Sequence, residues 1–123
     1  MMDEPQALGE VDVLFFEIGD ETYGADASQV LRIDRALPED LVLPELGSPK
    51  RGGRAIVFET PEGEGHLKVD VVRGVRPVAL NALRRLPAAV SAAPFTVGVC
   101  LDDDRRPVLL IDLVETAKTQ GRH

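Results

Sequence analysis

Apolar positions in this chain come in short runs, each closed by a turn signal, and almost none carries a helical period. The first run, Val11 to Ile18, has apolar residues on both faces, which predicts a central strand. Gly19-Asp20 follows, and glycine at the first position accepts the positive φ that a tight two-residue hairpin requires. Thr22 to Ala25 is then the return strand, with Thr22 and Tyr23 of the types that suit a pleated, half-buried surface. Asp26 or Ser28 can cap a brief helical turn by accepting from a free backbone N–H, and Val30 to Ile33 resumes the sheet. Beyond Ile33 the pattern breaks. Pro38, Pro44, Gly47, Pro49, Gly52 and Gly53 crowd one span, which predicts a loop with no room for a long helix.

Arg54 to Thr60 reads as the next strand, and Pro61 to Gly65 as a hairpin connection. In the return strand, Leu67, Val69 and Val71 alternate with His66, Lys68 and Asp70, so the two sets face opposite ways. Val72 to Val78 extends into another strand. Leu80 to Leu86 reads as a helical turn with Leu80, Leu83 and Leu86 inward, ended by Pro87. Pro94 to Leu101 and Pro107 to Leu113 form a last hairpin around Asp102 to Arg106, and Asp112 or Glu115 starts a short C-terminal helix. Residues 1–10 and 118–123 read as flexible ends. Many short strands with little helix predict a mainly all-β fold, built as one small barrel or a pair.

A chain of 123 residues is one domain, or two small lobes sharing a core. Its formal charge of −7 argues against nucleic acid as a partner, because phosphate neutralisation needs clustered Lys and Arg. The basic spots at Lys50-Arg51, Arg84-Arg85 and Arg105-Arg106 are small and interleaved with acids. The lone Cys100 allows no intramolecular disulfide. No apolar run suits a leader or a span, so the expectation is a cytoplasmic protein without membrane insertion.

Candidate chemistry is sparse. His66 lies on the polar face of its strand with no second ligand at metal-binding spacing. His123 is terminal. Cys100 sits in an apolar strand and reads as a small buried hydrophobe. Asp102-Asp103-Asp104 lacks the alternating acids, central Gly and closing Glu of a calcium loop, and reads as a solvated turn. Gly63 and Gly65 precede no helix and so make no dinucleotide fingerprint. Ser28 and Ser91 lack a convincing His and Asp arrangement. No cofactor, metal or catalytic residue is expected.

The ordered pieces carry a resemblance. Phe16 to Ile33 presents an apolar strand, a Gly-Asp turn, a Tyr-Gly pair, a small polar turn and a Val-led strand. Arg54 to Glu59, a turn, and Leu67-Lys68-Val69-Asp70-Val71-Val72 follow, and then Val97-Gly98-Val99-Cys100-Leu101 and Pro107 to Leu113. Together these resemble the CheW-like domain, the coupling module of bacterial chemosensory arrays, over residues 11–117. The likeness implies two small SH3-like β-barrels that share a core and bind both a histidine kinase and receptor tips. One departure is large. The strand pair that the family carries between the third strand and the mid-domain hairpin is missing, with Arg51-Gly52 its only echo. One barrel is therefore expected to be reduced or open, as in the shortened members known from gliding myxobacteria.

The resemblance implies an adaptor, not an enzyme. Its expected partners are the cytoplasmic domain of a methyl-accepting chemoreceptor and other CheW-like proteins, with recruitment to receptor clusters and deficient histidine-kinase binding. The matching groove would be lined by Val30, Leu31, Arg32 and Ile33, by Ile56, Val57 and Phe58, and by Asp70. An apolar groove of this kind suits an amphipathic helix, although Val30 serves equally well as core. An open barrel also leaves a strand edge, which either the Pro- and Gly-rich linker or a partner must cover. Two other readings stand beside this one: a small β-barrel interaction module unrelated to chemosensing, and a small hydrolase, which would need a deep pocket with convergent polar groups.

Overall fold

The first apolar run forms a strand with a neighbour on each side and a core on each face. In the computed structural model, which describes residues 9–43, 46–85, 95–102 and 104–120, β1 (Glu10–Ile18) pairs antiparallel with β2 (Glu21–Asp26) and with β6 (Val71–Ala79). Gly19 takes φ 63 at the β1–β2 turn, the left-handed conformation that favours glycine. Leu14, Phe16 and Ile18 enter one core, while Val13 and Phe15 enter another. Several expectations fall outside the described residues: the ends at 1–8 and 121–123, Pro44, Leu86 with Pro87, Ser91, Pro94 and Asp103.

The large sheet runs β6-β1-β2-β9-β8-β7, with β7 at Arg84–Arg85, β8 at Thr96–Leu101 and β9 at Pro107–Ile111. All its pairings are antiparallel except that of β2 with β9. β6 and β7 lie at opposite ends of this sheet, yet only residues 80–83 separate them in the chain. A stretch that short spans at most roughly 17 Å, so the sheet must curl until its ends nearly meet. Val13, Phe15, Cys100, Val108 and Leu110 pack inside the curl, with Val11, Val78 and Leu83 against them. The result is a small barrel left open between β6 and β7.

The second lobe is the smaller. β3 (Val30–Arg35), β4 (Arg54–Thr60) and β5 (Gly63–Val69) form a three-stranded sheet in that order. Its Ile56, Phe58, Leu67 and Val69 join Leu14, Phe16 and Ile18 in the main core. The helix α1 (Leu113–Gln120) starts at Asp112, whose Oδ1 accepts from the backbone N–H groups of Val114 (3.0 Å) and Glu115 (3.3 Å). Gln29 ties it to the turn before β3, with Nε2 donating to Asp112 and Oε1 accepting from Leu113 N–H.

Between β3 and β4 the described residues hold no strand, only one parallel bridge from Leu41 to Leu67 in β5. This segment is nevertheless more than a linker. Leu43 and Leu46 are buried in the main core, and the Tyr23 hydroxyl donates to the Leu46 carbonyl at 2.8 Å. We call residues 36–53 the strap. The fold is thus mainly β, with a six-stranded sheet curled into an open barrel and a smaller lobe of three strands.

Three local expectations need correction. Val71 does not share the face of Leu67 and Val69; it starts β6 and is exposed, because the chain turns at Asp70. Leu80 points outward, while Leu83 packs inward as expected. The helical turn is a single 3-10 turn, Leu80–Ala82, since Arg84–Arg85 already pairs with β8. At the C-terminal end, α1 runs to Gln120, in keeping with a short helix that ends before Gly121.

Candidate partner-binding surface

Asp70, expected at one end of a groove, is instead the organiser of the strap. It sits at the β5–β6 junction. Its carboxylate accepts from four backbone N–H groups: Gly19 (2.7 Å), Lys50 (2.9 Å), Arg51 (2.6 Å) and Gly52 (2.6 Å). Partial burial pushes the carboxyl upward, but the four bonds together outweigh it and hold the pKa at about 2. The strap also meets the Gly19 turn directly. A Cβ on Gly19 would lie 3.0 Å from the Ser48 carbonyl, and Lys50 pairs with Asp20.

Ile56, Val57 and Phe58 are fully buried in the free chain. Ile56 and Phe58 point into the main core. Val57 lies on the opposite face, in register with Arg32 on one side and His66 on the other. Arg32 reaches from β3 across β4 to Glu64 on β5 in a two-point pair (2.9 and 2.8 Å), and also holds Asp34 at 2.9 Å. The Glu64 bond, then the Asp34 bond, pushes the Arg32 guanidinium upward, and Arg32 holds the Glu64 carboxyl down.

Of the expected groove residues, Leu31 and Arg32 are exposed. Val30 and Ile33 are half-buried and pack against the main core. Leu31 is 48% exposed, because the β3–β4 register slips between Val30 and Arg32 and leaves Leu31 as the extra residue of a bulge. β3 is also an edge strand, paired only with β4 among the described residues. Its outward surface therefore combines a protruding leucine with a guanidinium committed to neighbouring acids.

Two features are not anticipated by the sequence pattern. Val71 and Val75 stand exposed on β6, beside Arg73, which pairs with Glu17. The alternation of Val71, Arg73, Val75 and Pro77 could have signalled that outer face. The second is a shallow, open depression between the strap and β5, lined in part by Leu37, Leu41, Val42, Phe58 and Ala117. Its titratable lining is Glu39, Asp40, Glu64 and His66. The His66 ring stands 3.6 Å from both Asp40 and Glu64, and the Asp40 side chain is only 5% exposed, held in part by Leu37 N–H at 2.7 Å. Cys100 is buried in the barrel core, where desolvation pushes its thiol upward. No helix among the described residues is long and apolar enough to cross a membrane.

No protein-family model matches the chain. The Frizzy aggregation protein FrzB of Myxococcus xanthus is 69% identical over 113 residues, which is 92% of this chain and 100% of that protein. Among solved structures, the scaffolding protein TtCheW of Thermoanaerobacter tengcongensis superposes with a TM-score of 0.71. That match covers 92% of this chain and 96% of the other at 21% identity, a likeness of fold.

Proposed function

The chain belongs to the FrzB family and has the CheW fold, and on that premise we propose that it is a non-enzymatic adaptor of a bacterial chemosensory array. It couples to the cytoplasmic tip of a methyl-accepting chemoreceptor, and is deficient in direct histidine-kinase binding. The observation that carries this reading is the identity to FrzB across that protein's full length. The receptor contact is assigned to β3, where Leu31 protrudes beside Val30 and Ile33. An amphipathic helix laid there would bury its apolar stripe against these residues.

The kinase deficiency is assigned to the strap. Where the resemblance leads one to expect a further strand pair, the described residues of 36–53 hold one bridge and two core leucines. A surface built from that strand pair has no counterpart here. Other CheW-like proteins are the second class of partner, and the adaptor works in the cytoplasm at receptor clusters.

A pull-down against both the receptor's cytoplasmic tip and the kinase's regulatory domain tests the reading. Capture of the receptor tip without the kinase domain is expected. Leu31→Arg should weaken receptor capture while leaving the thermal melt unchanged; because Leu31 is exposed, it is a cleaner probe than the packed Val30. Full receptor capture by folded Leu31→Arg would remove β3 from the assignment.

A further inference from the structure

We propose that the outer edge of β5 at Glu64–His66, with the depression beside it, docks a basic, extended polypeptide segment by strand addition. The site is separate from the apolar β3 surface. Among the described residues four strand edges bound the two sheets, and three are protected. β6 carries Pro77 and a register break opposite Phe15 and Phe16. β3 is bulged at Leu31, and β7 is two residues long. Such devices discourage pairing with another chain.

β5 is different. Its pairing with β4 runs unbroken from Gly63 to Val69. Among the described residues only Leu41 pairs with its outer edge, through Leu41 N–H to the His66 carbonyl (3.0 Å) and Lys68 N–H to the Leu41 carbonyl (2.9 Å). Backbone groups alternate sides along a strand. The N–H of His66 and both backbone groups of Glu64 therefore point the same way, beyond the bridge. There the strap folds into a turn closed by Asp40 N–H to the Leu37 carbonyl at 3.0 Å, and the space between turn and strand is the depression.

The occupant follows from charge and shape. The described lining holds three carboxylates, Glu39, Asp40 and Glu64, with no Lys or Arg, in a chain of formal charge −7. Leu37 and Val42 are exposed at its rim. An incoming strand that alternates basic and aliphatic residues would place its cations on the acids and its aliphatics on Leu37 and Val42, while its backbone pairs with Glu64 and His66. Arg32 already holds Glu64 in a two-point pair and the Asp40 side chain is largely buried beside His66, so the exposed Glu39 provides the greater part of the attraction.

The test uses a fluorescein-labelled octapeptide of alternating lysine and valine, titrated into the full chain by anisotropy at low salt. Saturable binding is expected, with amide shifts in Gly63–Lys68 by NMR. Glu39→Lys and Val42→Lys lie on exposed positions and should each weaken binding about tenfold without altering the melt. The same peptide N-methylated at alternate residues keeps its charge and should lose binding, because it cannot pair with an edge. Equal binding by the N-methylated peptide, shifts confined elsewhere, or no effect of either substitution would overturn the proposal; each would mark simple attraction of a cation to an acidic protein. Absence of saturable binding would also overturn it, and none of these outcomes touches receptor capture through β3.

Discussion

Asp70 stabilises the strap only while it is ionised. Its folded-state pKa of about 2 lies below the ordinary value of 3.8. Its contribution is therefore complete above the ordinary value and is lost as pH falls from there through about 2. Asp70→Asn keeps one acceptor oxygen for four donors and should lower stability by about 2–3 kcal/mol at neutral pH, the scale of bonds to a charged group. In urea melts the gap between wild type and variant should narrow as pH drops below 4. A gap that stays constant down to pH 2 would contradict the role. Tyr23→Phe removes one neutral bond to Leu46 and should cost about 1 kcal/mol, read in the same melts. The residue pattern places Asp70 correctly at a strand end but does not disclose its purpose. An acid there looks like a surface site, because its donors come from two distant segments, residues 19 and 50–52. Leu31 shows the converse: its exposure depends on a bulge that no pattern of residue types announces.

At the scale of elements, the strap behaves as part of the core. Leu43 is 2% exposed, so Leu43→Ala should cost about 2–4 kcal/mol, while Leu37→Ala, at the exposed rim, should cost little. Equal effects would return the strap to the status of a linker. Gly98 tests the far side of the barrel. A Cβ there would lie 2.8 Å from the Arg84 carbonyl, a backbone atom that cannot swing aside. Gly98→Ala should detach β7 from β8 at a cost of about 1–3 kcal/mol, visible as faster hydrogen exchange at Val99. Most strands are legible in the amino-acid sequence, because Val13 to Phe16, Leu67 with Val69, and the Gly19-Asp20 turn are strong local signals. The central placing of β1 follows from its two apolar faces. Long-range arrangement is what the residue pattern hides. The run Ile56-Val57-Phe58 does not reveal that both faces of β4 are closed, since one face is crossed by Arg32 reaching from β3 to Glu64. The Pro and Gly residues of the strap likewise mask the two leucines that bury it.

For the whole molecule, the question is which surfaces survive when one lobe is reduced. The open barrel is complete through six strands, and the second sheet keeps three, closed on one edge by a single bridge from the strap. On the proposed function, an adaptor of this shape would offer β3 to a receptor helix, and the described residues between β3 and β4 hold no strand pair that could support a kinase contact. The measurement that tests this most directly is a side-by-side titration of the full chain with the receptor's cytoplasmic tip and with the kinase's regulatory domain, by calorimetry under one buffer. Saturable binding to the receptor tip, weakened in Leu31→Arg, is expected, with no saturable binding to the kinase domain. Saturable kinase binding at an affinity matching the receptor's, or receptor binding indifferent to Leu31→Arg, would contradict it.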